Sequence, residues 1–74
     1  MEDFMMPITL ANVGEEMMIK KVGGNPETRR FLENLGFVVG GAVTIVSEMG
    51  GNVIVNVKDS RVAVSKEMAQ KIMV

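Results

Sequence analysis

The sequence predicts a mainly β domain with short helices, folded as a small SH3-like β-barrel. Three observations lead to this class. The chain has 74 residues, which is enough for one small domain. Short segments rich in valine and isoleucine alternate with glycine pairs, as in proteins built from short strands and tight turns. Closing such strands into a barrel removes exposed sheet edges, which favours a barrel over an open sheet.

The clearest element is one helix at about residues 26–35, placed after the first strand. Its ends carry capping signals: Asn25 suits the N-cap, Pro26 the first helical position, and Gly36 the left-handed position after the last turn. The i, i+3, i+4, i+7 spacing predicts an apolar face made of Thr28, Phe31, Leu32 and Leu35. The residues expected to face outward are Arg29, Arg30, Glu33 and Asn34. Arg29 and Glu33 have the i, i+4 spacing that allows an ion pair.

The segments before the helix are less regular. Residues 1–8 are predicted to be a loose leader and residues 9–74 the folded domain, because Pro7 interrupts regular structure. Thr9 is expected to cap a single helical turn that ends at Gly14. Residues 15–22 are predicted to form a bulged or strongly bent strand, since their apolar residues do not alternate cleanly.

Beyond the helix the sequence predicts a meander of three strands, a short C-terminal helical turn and a short final strand. The strands are expected at residues 42–48, 52–58 and 61–64, with a hairpin tip at 50–52 and a turn at 59–60. In the second of these strands Val53, Val55 and Val57 are predicted to point inward. Ser65 is expected to cap a helix over residues 66–71, and residues 72–74 to pair as the last strand.

The residue inventory argues against an enzyme. The chain has no histidine and no cysteine, so neutral-pH acid–base catalysis and thiol nucleophiles lack their usual residues. The glycines do not form a nucleotide-binding fingerprint. Borderline and soft metal ions prefer imidazole and thiolate ligands, and the eight methionines are expected mainly to fill the core. No catalytic residue, metal ligand or cofactor is therefore predicted.

Charge and hydropathy narrow the choice of partner. Eight basic and nine acidic residues give a net charge of −1, which provides no general attraction for nucleic acid. No apolar run approaches the roughly 20 residues that span a bilayer, so direct membrane insertion is not expected. The acidic start of the chain does not resemble a signal peptide. We therefore expect a cytoplasmic protein.

A protein-binding module is the class that remains. The expected interaction surface consists of the outer helix face, Arg29, Arg30 and Glu33, together with the corner Gly36 and Phe37 and the hairpin tip Gly50-Gly51. For Phe37 the sequence favours a core position over an exposed anchor. A homodimer is a further option, in which the apolar residues Phe4, Met5 and Met6 pack on a second copy.

The sequence resembles the FeoA family along nearly its whole length. The most specific part is Arg29-Arg30-Phe31-Leu32-x-x-Leu35-Gly36-Phe37-x-x-Gly40. The other matching motifs are Leu10…Gly14-Glu15, Ile19-x-x-Val22-x-Gly24, Val43-x-Ile45, Ile54-Val55-Asn56-Val57, Arg61-x-Ala63-Val64 and Ala69-x-x-Ile72-x-Val74. Phe31 and Val39 stand where the family usually has leucine and proline.

The resemblance implies an SH3-like barrel and a role in bacterial ferrous iron uptake. It implies a small cytoplasmic accessory protein that binds the GTP-binding domain of the membrane transporter subunit and modulates its activity. The same barrel is similar to the C-terminal domain of iron-dependent repressors. The alternative is therefore a metal-linked regulatory or self-associating module.

Overall fold

Two antiparallel sheets form the frame of the domain in the computed structural model, which describes residues 4–74. Within this range the larger sheet has the strand order β1-β3-β4-β5 and the smaller sheet pairs β2 with β6. The elements are a 3-10 helix (Ile8–Leu10), β1 (Glu16–Met18), β2 (Lys21–Val22), α1 (Pro26–Leu35), β3 (Ala42–Met49), β4 (Asn52–Val57), β5 (Ser60–Ser65), α2 (Lys66–Ala69) and β6 (Ile72–Met73).

Inward-facing and outward-facing side chains alternate along β4, which places one face of the larger sheet in the core. Val53, Val55 and Val57 of β4 are each at most 1% exposed, which confirms the inward face predicted for this strand. The register between β3 and β4 shifts between Ile45 and Ser47, a β-bulge that bends the strand as small barrels require. The hairpin tip at Gly50 and Gly51 also lies where the glycines predicted it.

The predicted bent strand at residues 15–22 divides between the two sheets. β1 pairs with β3, and β2 pairs with β6. Ile19 lies between them, fully buried, and its amide donates to the Gly41 carbonyl over 2.8 Å. The next amide, that of Lys20, donates to the Met73 carbonyl over 2.7 Å. One continuous segment therefore connects the two sheets.

The sheets do not merge into one closed barrel. Of the two outer strands of the larger sheet, β1 has only three residues, and β5 is followed at once by α2, which leads the chain away to the smaller sheet. The free edges that closure was expected to remove are therefore retained at β1 and β5.

The N-terminal segment differs from the loose leader expected for residues 1–8. Residues 1–3 lie outside the described range, but Met6 exchanges two backbone hydrogen bonds with Val74, at 3.0 and 2.8 Å. Pro7 forms a β-bridge with Met73, and the side chain of Ile8 is 1% exposed. Pro7, not Thr9, precedes the helical turn, since proline is compatible with a strand edge and with a helix start.

The second hairpin turns at Lys58 and Asp59, one residue earlier than predicted. Both residues have positive φ, 50° and 64°, and Val57 pairs with Ser60. A two-residue connection of this kind matches the right-handed twist of the flanking strands. The prediction of a turn at 59–60 was wrong because no glycine marks the left-handed positions.

Both helices begin as predicted. The Asn25 side chain accepts a hydrogen bond from the Thr28 amide over 2.8 Å, and the Ser65 hydroxyl accepts one from the Met68 amide over 3.2 Å. α1 has the predicted bounds, whereas α2 ends at Ala69 instead of residue 71.

The buried apolar side chains form one core cluster among the described residues. Its members are Ile8, Ile19, Val22, Leu32, Phe37, Val43, Ile45, Val53, Val55, Val57, Val64, Ala69, Ile72 and Val74. These residues come from both sheets, both α-helices and the 3-10 helix, so each element is held by apolar burial. Across residues 4–74, none of the helices has the length and apolar character to cross a bilayer.

Candidate protein-binding surface

The outer face of α1 is the surface that the sequence predicted as the interaction site. Successive residues of an α-helix are rotated by about 100°, and Leu32, fully buried, marks the core direction. Arg30 therefore points almost directly away from the core. Arg29 and Glu33 lie along one flank of the helix, and Phe31 lies on the other. The three charged side chains are exposed.

These charges have no ion-pair partners among residues 4–74. In the stretch that the structure describes, the one ion pair joins Lys66 Nζ to Glu48 Oε1 over 3.5 Å. The i, i+4 spacing of Arg29 and Glu33 predicted a possible pair that does not form. Because no ion pair within residues 4–74 holds these three groups, a partner protein can bind them without breaking one.

Phe31 departs from the prediction that it faces the core. Its side chain is 50% exposed, because it lies about 100° around the helix from Leu32. It borders a groove of about 410 Å³ between α1 and α2, to which Met68 contributes the other apolar wall. The remaining lining residues are Asn25, Glu27 and Thr28. A half-exposed aromatic ring beside a thioether is a feature that protein interfaces use.

Phe37, by contrast, was included in the expected surface and belongs to the core. It is fully buried, and its amide donates to the Leu32 carbonyl over 3.0 Å. The amide of Gly36, with φ 111°, donates to the Glu33 carbonyl over 3.0 Å. These two bonds form a Schellman motif, which brings Phe37 into apolar contact with Leu32. The corner therefore fixes the end of α1 and does not offer an aromatic anchor.

The predicted site residues consequently separate into two groups. Arg29, Arg30 and Glu33 share the exposed surface of α1, while Gly36 and Phe37 lie beneath it. Phe31 joins the exposed group. We call the groove lined by Asn25, Glu27, Thr28, Phe31 and Met68 the Phe31 groove; Arg30 is not among its lining residues. The rotation of about 100° per residue is the sequence signal that places Phe31 at the edge of the apolar face.

A second apolar groove, of about 370 Å³, lies near the N-terminal segment. Met5, Met18 and Val39 line it and are 50%, 57% and 67% exposed. Lys20 also lines it, and its Nζ donates to the Phe4 carbonyl over 2.7 Å. Met5, which lines this groove, is one of the apolar residues expected to pack on a second copy if the chain forms a homodimer.

Metal-binding side chains do not gather anywhere in the described part. No three carboxylates come together within residues 4–74, and the sequence contains neither histidine nor cysteine. The polar groups and sulfur atoms available on the two grooves are ammonium, carboxylate, amide, hydroxyl and thioether. This set is suited to recognising a protein surface through apolar contact and charge.

Comparison with known proteins gives the family. The FeoA domain family model matches residues 6–74. A relative from Methanocaldococcus jannaschii, named putative Fe(2+) transport protein A, is 31% identical over 70 residues, covering 95% of this chain and 85% of its own.

Solved structures share the fold. A crystal structure of an iron uptake regulatory protein, FeoA, superposes with a TM-score of 0.85 at 20% identity, over 95% of each chain. A manganese-dependent transcriptional repressor gives a TM-score of 0.84 at 16% identity, over 95% of this chain and 40% of the repressor. At these identities the likeness concerns the SH3-like fold. Together, the matched residues 6–74 and the archaeal relative show that this chain belongs to the FeoA family.

Proposed function

We propose that this protein is a cytoplasmic accessory protein of ferrous iron transport that binds the GTP-binding domain of the transporter's membrane subunit. Family membership supports the transport role, as does the relative named as an Fe(2+) transport protein. The observation that carries the binding role is the outer surface of α1. It presents two exposed arginines without ion-pair partners in residues 4–74, next to a half-exposed phenylalanine.

The Phe31 groove is the proposed centre of the contact. Aromatic and arginine side chains carry a large share of interface energy, especially where they are surrounded by groups that exclude water. Burying the exposed half of Phe31 against a partner removes apolar area from water without rearranging the core, because Leu32 already anchors the helix. Arg30 precedes Phe31 in the helix, and its exposed side chain is available to a partner carboxylate.

Arg29 and Glu33 belong to the rim of the proposed contact. They lie on the opposite flank from Phe31, so a partner centred on the groove reaches them only at its border. Charges at a rim mainly change association rate and salt dependence. We therefore expect Phe31→Ala to weaken binding about 10- to 100-fold, Arg30→Glu by a similar factor, and Arg29→Glu by less than about 5-fold.

A calorimetric titration tests this proposal. The purified full chain is titrated with the GTP-binding domain in its GDP-bound, GTP-analogue-bound and nucleotide-free states. Lys21→Glu is the matched control, since it reverses an exposed cation on β2 instead of α1. Far-ultraviolet circular dichroism confirms that each variant is folded.

Two outcomes would contradict the proposal. Failure of the folded wild-type chain to bind in any nucleotide state would remove the GTP-binding domain as the partner. Equal losses for Lys21→Glu and Arg30→Glu would move the contact away from α1. Heat from titration of the chain alone with Fe(II) or Mn(II) would instead support the metal-linked regulatory module.

A further inference from the structure

The two free edges of the larger sheet differ in length and protection. β1 has three residues, and an acidic pair marks its start: Glu15 precedes the strand and Glu16 is its first residue. β5 has six residues and, within residues 4–74, pairs on one side only, with β4. Natural sheets discourage edge-to-edge pairing with short strands and charges, and β1 has both of these devices. β5 is the edge open to a further strand.

The second hairpin determines which backbone groups of β5 are free. Because its connection is the two residues Lys58 and Asp59, Val57 and Ser60 form a hydrogen-bonded pair. Alternation then directs the backbone groups of Ser60, Val62 and Val64 toward β4. Those of Arg61 and Ala63, and the amide of Ser65, point away from the sheet. Ala63 is exposed and lies at the middle of this free edge.

We propose that a second copy of this chain pairs with β5, antiparallel, about a two-fold axis at Ala63. In this register Ala63 lies opposite its own copy, and Arg61 lies opposite Ser65. The pairing forms about four hydrogen bonds between the chains, from the amides of Ala63 and Ser65 to the carbonyls of Ala63 and Arg61. It joins two four-stranded sheets into one continuous sheet.

Charge favours this register over one centred on Arg61. Centring the axis on Arg61 would place two guanidinium groups directly opposite each other, which is unfavourable. Centring it on Ala63 brings the hairpin turn of one copy, Lys58 and Asp59, beside the start of α2 in the other, Lys66 and Glu67. All four side chains are exposed. Lys58 can then meet Glu67 at both ends of the contact, whereas Lys66 is already paired with Glu48 of its own chain.

A cysteine cross-link tests the geometry directly, because the chain has no cysteine of its own. Residues in a hydrogen-bonded antiparallel pair have Cα atoms about 5.5 Å apart, which a disulfide can join. We expect Ala63→Cys to form a disulfide-linked dimer under mild oxidation at least about tenfold faster than Ala42→Cys. Ala42 is the matched control, an exposed alanine on β3 of the same sheet.

A second pair of variants separates edge pairing from random collision. The amide of Ser65 is one of the proposed donors, and its φ of −65° is the value that proline adopts. Ser65→Pro and Ser65→Ala both remove the N-cap of α2, but only the proline removes the amide hydrogen. In the Ala63→Cys background, we expect cross-linking to slow several-fold with proline and to stay nearly unchanged with alanine.

The contact is smaller than a standard interface of about 1,600 Å², so the wild-type chain should dimerise only at high micromolar concentration. Sedimentation equilibrium over this range should show a monomer–dimer transition that Ser65→Pro abolishes. Equal cross-linking of the Ala63→Cys and Ala42→Cys variants would overturn the proposal. So would equal effects of proline and alanine at position 65. Neither result depends on the GTP-binding domain.

Discussion

Phe31 and Phe37 are six residues apart and have opposite environments. Phe31 lies within α1 and is 50% exposed, whereas Phe37 follows the helix and is fully buried. The helical wheel decides the first position, since a residue about 100° from Leu32 reaches only the border of the core. The helix end decides the second, because the Schellman motif at Gly36 returns the chain toward Leu32. Burial here depends on backbone geometry as much as on residue type.

The largest effect in this comparison should come from truncating the buried ring. Phe37→Ala leaves a cavity at the centre of the core and should lower the free energy of unfolding by about 3–5 kcal/mol. That approaches the whole stability of a domain of this size, so Phe37→Leu serves as a milder version. Urea denaturation followed by far-ultraviolet circular dichroism measures both. A loss below about 1 kcal/mol for the alanine variant would contradict the core assignment.

Gly36→Ala attacks the motif that buries Phe37. The φ of 111° is unfavourable for any residue with a Cβ, and the added atom would lie 3.4 Å from a Val57 methyl. We expect a loss of about 1–2 kcal/mol in the same denaturation experiment. Gly50→Ala is a useful control, because nothing lies within 4 Å of a Cβ there and the site is in a hairpin turn. Similar losses of stability for Gly36→Ala and Gly50→Ala would mean that backbone strain at a positive φ accounts for the loss at Gly36, without a contribution from the Schellman motif.

Removing the cap tests the other end of the helix. Asn25→Ala deletes the side-chain oxygen that accepts from the Thr28 amide, and should cost about 1 kcal/mol of stability. Asn34→Ala is the control on the same helix, where the exposed side chain caps nothing and alanine has the higher helix propensity. The two variants should therefore change the unfolding midpoint in different ways, with a loss only at position 25.

The smallest stability effect is expected at the exposed ring. Phe31→Ala removes apolar surface that is already half in water, so the free energy of unfolding should change by less than about 1 kcal/mol. The same variant is expected to lose binding to the GTP-binding domain. If it instead destabilises the chain as much as Phe37→Ala, the groove is part of the core and the two phenylalanines do not differ in role.

The sequence predicted those features that depend on near neighbours. The caps at Asn25 and Ser65 and the inward valines of β4 are determined by a few adjacent residues, and each is present in the structure. The turn at Lys58 and Asp59 was misplaced because no glycine marks its positive φ angles. The ordering of Met6 depends on Val74, a partner 68 positions away in sequence, which no local pattern reveals.

The candidate site was predictable in charge but not in shape. The exposed arginines followed from the polar side of the helix. Helical spacing predicts that four apolar positions form one buried stripe, and this prediction leaves Phe31 out of the expected surface although its side chain is 50% exposed. On a ten-residue helix that covers a small core, only the centre of such a stripe is enclosed, and its border remains available to a partner.

The small sheet has a consequence for how the chain is made. β2 pairs with β6, and Met6 pairs with Val74. These N-terminal segments therefore cannot complete their backbone hydrogen bonds until the last residues of the domain have been synthesised. A ribosome releases the chain from its N-terminus onward. During synthesis the larger sheet can therefore assemble first, while Ile8 and Val22 stay uncovered until residue 74 leaves the exit tunnel. Bringing together segments so far apart costs loop-closure entropy and slows this final step. The domain should thus complete its folding after translation of its last strand, as a single late event.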